Sequence, residues 1–404
     1  MATNDVVVVG AGVVGASVAH HLTRLGQDRV TVVDARARDV LPGSTGLAPG
    51  FVGQLNAAPE LAALAVDSVA TYRALPHAAA EPVFWRVGCL EVATTPARLD
   101  RAHQDVEHGR GLGIAARVLD GADAVALAPA LVDAERALGA LYIPADGAVD
   151  PVALTHVLVD AAERAGAVFR WNTPVVALET SRGRVVGVRT GRDGALLRAD
   201  QVVLATGVWG PVLAASAGVR LPVVAVQHPY VFTADLPDLD DTPIDAPVVR
   251  YPDHAVYTRR HGRRYGLGTY SHAPIPWTPS PALTSAESPF PEARFGAAVA
   301  EATRLVPAFR DAPLGRRYNG AFALTPDELP LVGPAAGVPG LWFAAASWIT
   351  HAGGVGRQLA NLVLGTGDVL VDPDRLAPDR FDSWSDEKIR EVSLGHYQGI
   401  DDAH

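Results

Sequence analysis

Apolar residues fall in short unbroken runs, separated by stretches with helical or alternating spacing. Residues 5–9 (DVVVV) show no polar alternation, which predicts a strand buried on both faces, as in a parallel sheet. The turn GAGVVG (10–15) leads into ASVAHHLTRLG, a helical pattern closed by Gly26 as C-cap. RVTVV (29–33) predicts the second strand and ends on Asp34, so the opening reads as one βαβ unit. Residues 201–205 (QVVLA) and 341–346 (LWFAAA) repeat the buried-strand pattern much later in the chain.

Between these runs the pattern changes. Helices are predicted over 61–74, 97–112 and 151–164, the last with Pro151 in its first turn. Strands are predicted over 85–94, 168–170 and 175–179, and a β-hairpin over 182–197. Residues 215–320 are rich in Pro, Tyr and β-branched residues and poor in clean helical spacing, which predicts a mainly antiparallel sheet. A helix is expected over 352–364, opened by Gly353-Gly354, and the polar tail after Arg380 is expected to be loosely held. There are no repeats and no low-complexity segment.

Composition narrows the classes. The 404 residues are 49% hydrophobic and 19% charged, enough for a large core in about two domains. The net charge of −10 argues against nucleic acid as partner. One cysteine, Cys89, excludes an intrachain disulfide framework and any multi-cysteine metal site, and no metal-ligand spacing occurs elsewhere. The longest apolar stretch, 6–19, is cut by His20-His21, short of the roughly 20 residues that span a bilayer, and no signal-peptide pattern opens the chain. A soluble cytoplasmic protein without membrane contact is expected. All but one of the 34 basic residues are arginine, and the exception, Lys388, lies in the tail, which removes lysine from catalysis.

The first motif with chemistry is Gly10-x-Gly12-x-x-Gly15 between strand and helix. The first glycine permits the turn, the second admits a pyrophosphate, and the third lets helix and strand pack closely. The helix N-terminus favours the phosphate charge. Asp34, 19 residues after Gly15, stands where a carboxylate accepts from a ribose, which favours NAD or FAD over NADP. An NAD domain continues directly with further βα units. Here the chain departs and returns at VVLATG (202–207) and again at 341–354, which is similar to the discontinuous FAD domain of the glutathione-reductase type.

Six segments carry a wider resemblance: GSTGLAPG (43–50), VGCLEVATT (87–95), VQHPYV (226–231), VYTRRHGRRYGLGTYSHAPIP (256–276), TPDELPLVG (325–333) and WITHAGGVG (348–356). In order and content they resemble the D-amino-acid-oxidase/sarcosine-oxidase superfamily, nearest its dimethylglycine oxidase and dehydrogenase branch, from about residue 5 to 382. The resemblance implies an α/β plus α+β protein: a discontinuous FAD-binding Rossmann domain (1–82, 150–217, 322–382), a mainly antiparallel β-sheet substrate domain (83–149, 218–321) and a tail (383–404). It implies FAD contacts at Gly10, Gly12, Val13, Val14 and Gly15, and at Asp34 and Ala35. It adds Ser44, Thr45, Gly46, Leu47 and Phe51, then Val175, Thr206, Gly207 and Trp209. Thr350, Ala352, Gly353 and Gly354 are implied at the N1–C2 edge of the ring, where a helix N-terminus stabilises negative charge.

Two departures stand out. The branch carries a flavin-bonding histidine in the first of these loops, where this chain has Leu47, and no late cysteine replaces it. FAD is therefore expected to be noncovalent. The branch also continues into a folate-binding region after the FAD part, so the one-carbon product is expected as free formaldehyde unless a separate protein takes it.

His228 and Tyr257 match the histidine and tyrosine on the substrate side of the flavin. An amine must be neutral before hydride leaves the adjacent carbon. Histidine titrates in the range to take that proton, and a tyrosine hydroxyl orients the amine. His351 is a second catalytic candidate. Tyr270 and His272 are pocket candidates, and Arg250, Arg259 and Arg317 are candidates to clamp a carboxylate. The expected reaction is oxidation of a secondary or tertiary N-methyl amine or amino acid by hydride transfer to flavin N5, with the iminium hydrolysed to demethylated amine and formaldehyde. The acceptor is O2 or an electron-transfer protein; oxygen reactivity would come from a positive group such as a protonated His228 or His351, or else be absent. The rivals are oxidative deamination of a primary amino acid, an NAD-dependent dehydrogenase, and a non-catalytic FAD-binding subunit.

Overall fold

The computed structural model describes residues 4–75, 82–191, 193–242, 244–280 and 284–400. A six-stranded sheet orders its strands Leu331–Pro334, Leu341–Ala345, Gln201–Leu204, Val6–Val9, Val30–Val33 and Val168–Arg170. All neighbours are parallel except the first pair. The uninterrupted valines of the opening strand follow from this. Val6 and Val8 pack with Val18, Leu22, Val355 and Leu359 on one face, whereas Val7 and Val9 pack with Val185, Val188 and Phe343 on the other. A strand covered on both faces has no polar side to show.

The glycine turn is set by close contact. Gly10 has φ +99°, and a Cβ there would stand 2.4 Å from the Ala205 carbonyl oxygen. A Cβ on Gly15 would stand 1.9 Å from the Gly10 oxygen, so the helix Val13–Arg24 starts hard against its strand.

The second sheet is mainly antiparallel. Its path runs Ile275–Pro276, Val224–Thr233, Arg264–Thr269, Val256–His261, Val248–Tyr251, Cys89–Ala93, Gly139–Ile143 and Arg117–Asp120, and Leu314–Leu324 also pairs with Val224–Thr233. The strand expected over 85–94 is divided into Phe84–Trp85 and Cys89–Ala93, with Gly88 at φ +82° between them. A helix, Glu292–Leu305, interrupts the region expected to be poor in helices.

The tail is a correction to the sequence reading. Ser385 caps a helix, Asp386–Gly395, and Arg220 bonds the Phe381 and Trp384 carbonyls and the Asp386 carboxylate. Tyr397 and Ile400 are buried with Val226 and Leu324. Polarity of the outer face concealed the two apolar anchors. Residues 401–404 lie outside the described set.

Candidate active site

A cavity of about 880 Å³ lies between the two sheets, within the usual range for small-molecule and cofactor sites. Its first end is the glycine turn. Gly10, Gly12, Val13, Val14, Asp34 and Ala35 line it. The Asp34 carboxylate is oriented by the turn itself, accepting from Ala11 N–H at 2.6 Å and Arg36 N–H at 2.9 Å.

The middle is walled by two loops. Ser44, Thr45, Leu47 and Phe51 line it from one side, Val175, Thr206, Gly207 and Trp209 from another, and Thr350 closes it. Hydroxyls hold these walls in place. Ser44 donates to the Ala321 carbonyl at 2.6 Å, Thr350 donates to the Phe51 carbonyl at 3.1 Å, and Thr45 accepts from Val13 N–H at 3.3 Å. The Thr206 hydroxyl and the Trp209 indole N–H are buried without a hydrogen-bond partner. Unpaired buried polar atoms in a cavity wall are costly unless a bound group meets them. The donor set therefore fits a dinucleotide lying along the cavity.

The far end is built from one row of the second sheet. Glu91, Arg250, Tyr257 and Gly268 stand directly opposite one another on four successive strands. Arg250 donates to Glu91 at 2.6 Å, both nearly fully buried. Tyr257 lies across Gly268. Its hydroxyl reaches His228 Nε2 at 2.8 Å, while Tyr270 stacks on the same imidazole with centroids 4.4 Å apart. His228, Tyr257, Tyr270 and Arg250 all line the cavity.

Burial decides the charge state. The His228 pKa is pulled down to about 3, first by burial and then by His272, and burial alone lowers His351 to about 4. Both rings are neutral at pH 7, so the expectation of a protonated histidine for oxygen is withdrawn. Asp146, also in the wall, is pushed up to about 7 by burial, opposed by hydrogen bonds from Gln54.

Several expected contacts lie elsewhere. Gly15, Gly46, Ala352, Gly353, Gly354 and His351 are not in the cavity wall. Gly46 packs on the Leu41 carbonyl. The Gly353 and Gly354 N–H groups are taken by Tyr72 and Ser68, and a Cβ at either would strike the helix Pro59–Ala74. The glycine pair thus lets the two helices pack closely. Arg259 is consumed by the Pro49 and Arg260 carbonyls, and Arg317 pairs with Glu292 at the surface. Cys89 is buried with Ala148, Ile244 and Val248, and the Lys388 ammonium lies over the Trp384 ring.

Sequence reasoning missed Glu91, Asp146 and Tyr397. Glu91 is the one charge in an otherwise apolar run, CLEVA, which was the available signal. Tyr397 with Ile400 is an apolar pair at helical spacing inside a polar tail.

A glycine turn, an oriented carboxylate after the second strand and a cavity leading away from both define a dinucleotide-binding oxidoreductase. Sequence comparison is more specific. Residues 5–362 match the FAD dependent oxidoreductase family, the DAO family, and the chain belongs to it, with FAD as its cofactor. Human mitochondrial dimethylglycine dehydrogenase is 27% identical, the match covering 98% of this chain and 46% of that protein. The 4-methylaminobutanoate oxidase (formaldehyde-forming) of Paenarthrobacter nicotinovorans is 30% identical over 93% of this chain and 45% of its own length. The chain thus spans about half the length of these relatives. L-proline dehydrogenase from P. horikoshii shares the fold, with a TM-score of 0.80 at 22% identity, covering 94% of this chain and 98% of that one. Among the described residues, no helix is long and apolar enough to cross a membrane, and no group of His, Cys, Asp and Glu is arranged to hold a metal ion.

Proposed function

We propose that this chain oxidises a secondary or tertiary amine, an N-methyl amino acid or close analogue, releasing the demethylated amine and formaldehyde. The observation that carries the reading is the Tyr257–His228 pair. Its imidazole is held neutral by burial, the two groups are hydrogen-bonded at 2.8 Å, and both line the cavity away from the glycine turn. FAD, when bound, supplies the hydride acceptor. Gly10 and Gly12 would hold its pyrophosphate, Asp34 its ribose, and Thr206 and Trp209 would meet its polar edges. FAD is held noncovalently, since Leu47 offers no nucleophile and Cys89 is outside the cavity wall.

The protein's own residues prepare the substrate. Tyr257 takes an ammonium hydrogen and passes its own to His228 Nε2 as the Nδ1 hydrogen leaves towards Tyr397, so the nitrogen lone pair is freed and the buried ring stays neutral. Arg250 stands one strand away from Tyr257, a spacing of about 5 Å that suits the amine and carboxylate of one amino acid. Glu91 balances the arginine charge when the cavity is empty. The names of the two relatives, one acting on dimethylglycine and one forming formaldehyde, support N-demethylation.

The test starts from the yellow protein precipitated with acid, with flavin expected in the supernatant. Anaerobic titration with sarcosine, N,N-dimethylglycine, 4-methylaminobutanoate, glycine and D-alanine follows. Bleaching by the N-methyl compounds with formaldehyde as product is expected. Ammonia and a 2-oxo acid from the primary amines would replace this reading with deamination. Oxygen consumption against reduction of an artificial electron carrier then separates O2 from an electron-transfer protein as acceptor.

A further inference from the structure

We propose that Tyr397 of the carboxy-terminal segment positions His228 and, with His272, forms the outer half of a proton relay leading from the cavity towards solvent. The proposal rests on the amine-oxidation reading above.

The contacts fix the direction of the relay. His272 Nδ1 lies 2.9 Å from the Ala273 carbonyl oxygen, which only accepts, so Nδ1 carries the hydrogen. Burial lowers the His272 pKa, so the ring is neutral and its Nε2 is bare. The Tyr397 hydroxyl has two acceptors in reach, that Nε2 at 2.9 Å and the Gln227 carbonyl at 3.4 Å, and it donates to the nearer one. With its hydrogen committed, the Tyr397 oxygen accepts from His228 Nδ1–H at 2.8 Å. That leaves His228 Nε2 as the acceptor for Tyr257 O–H, also at 2.8 Å. One carbonyl thus orders four side chains, and both histidines carry their hydrogen on Nδ1.

The tail is built to hold this geometry. The Tyr397 ring is fully buried and meets Tyr270, His272 and Phe322, while Ile400 reaches the cavity wall. His396 Nε2 donates to the Pro326 carbonyl at 2.9 Å, and Leu394 packs beside Val226 and Leu324. The groups stacked around His228 are the phenol rings of Tyr257, Tyr270 and Tyr397 and the phenyl ring of Phe322. His272 is the ionisable group that acts on it through space. His272 itself lies between Ser271 and Ala273, both exposed.

One proton crosses in four hops. The substrate N–H bond breaks as the Tyr257 oxygen gains a hydrogen. The original Tyr257 hydrogen passes to His228 Nε2. The His228 Nδ1 hydrogen passes to the Tyr397 oxygen, and the Tyr397 hydrogen passes to His272 Nε2. Nothing is oxidised or reduced. A single positive charge leaves the substrate nitrogen and arrives on His272, from which bulk water takes it.

Two measurements on the holoenzyme test this. Histidine ¹⁵N NMR should find both His228 and His272 neutral with hydrogen on Nδ1. Hydrogen on Nε2 of either ring overturns the wiring. Anaerobic flavin reduction by sarcosine or N,N-dimethylglycine is then followed from pH 6 to 10 in the parent, Tyr397→Phe and His272→Asn. Tyr397→Phe keeps the ring and removes the hydroxyl. Its reduction rate should fall about 10- to 100-fold at low pH, where the bound amine is protonated. It should recover towards the parent at high pH, where the amine arrives neutral, with little change in KM. His272→Asn should show the same pH signature with smaller amplitude, and it carries the test if Tyr397→Phe does not fold. A loss equal at every pH, or none, overturns the relay. If neither amine bleaches the parent flavin, the substrate reading fails, and the NMR arm still decides the wiring.

Discussion

Replacing Gly268 by alanine isolates the geometry of the Tyr257–His228 pair. Gly268 lies outside the left-handed region, so alanine brings no backbone strain there. Its only consequence is steric. The new Cβ would stand 2.4 Å from both Oη and Cζ of Tyr257 and 2.6 Å from Cε1. Such contacts settle near 3.5–4.0 Å, so the ring must retreat by about 1 Å. The hydroxyl begins 2.8 Å from His228 Nε2, and a retreat of that size takes it out of hydrogen-bond range. A misplacement of about 1 Å at a reacting group lowers the rate by ~100-fold. The overpacking itself destabilises by about 1–3 kcal/mol. The assay is the rate of anaerobic flavin bleaching by an N-methyl amino acid, with FAD content and melting temperature measured in parallel. FAD content should be unchanged, since Gly268 is not among the residues lining the cavity. Adding Tyr257→Phe to Gly268→Ala should slow the enzyme little further, because both changes remove one interaction. A Gly268→Ala enzyme that bleaches within a few-fold of the parent would refute the placement of Tyr257 as the proton acceptor.

Other expectations follow from the same geometry. Asp34→Ala removes a charged acceptor worth about 1.5–3 kcal/mol, so FAD should bind the apoprotein roughly 10- to 150-fold more weakly in a fluorescence titration. Unchanged affinity would place the ribose elsewhere. Stability should fall on acidification from pH 6.5 towards 4.5. His20 and His351 are lowered to about 4, and His21 and His228 to about 3, chiefly by burial, so below 6.5 the unfolded chain takes up protons that the native state refuses. Asp146, raised to about 7, works in the opposite direction between the ordinary carboxylate pKa and 7, leaving a net uptake of about two to three protons on unfolding. Melting temperatures that stay flat over that range would contradict neutral burial of these rings.

Local features of the site were readable from the sequence, and long-range ones were not. Gly10, Gly15 and Asp34 are legible because turn, close packing and strand end are all fixed within 30 residues. His228 and Tyr257 were found through resemblance, because a histidine before a proline in a strand has no local mark of function. Gly353-Gly354 shows how one signal serves two purposes. A helix opened by small residues suits an anion, and it also suits close packing, as on the Ser68–Tyr72 flank of another helix here. Tyr397 stayed invisible because its partner is 169 residues away. The outer face of Asp386–Gly395 is polar whether or not its end plugs a site.

The order of strands in the parallel sheet has a consequence for how the molecule comes into being. Val6–Val9 sits between Val30–Val33 and Gln201–Leu204, and the latter in turn pairs with Leu341–Ala345. The first strand made therefore keeps one open edge until some two hundred residues have followed, and Gln201–Leu204 keeps one until Leu341–Ala345 is made. Contacts so distant form slowly, and bare edges invite pairing with other chains in the meantime. Flavin, which needs both early and late segments to bind, then acts as a late lock on assembly. Yield of folded protein in a cell should track flavin supply during synthesis as well as the rate of transcription.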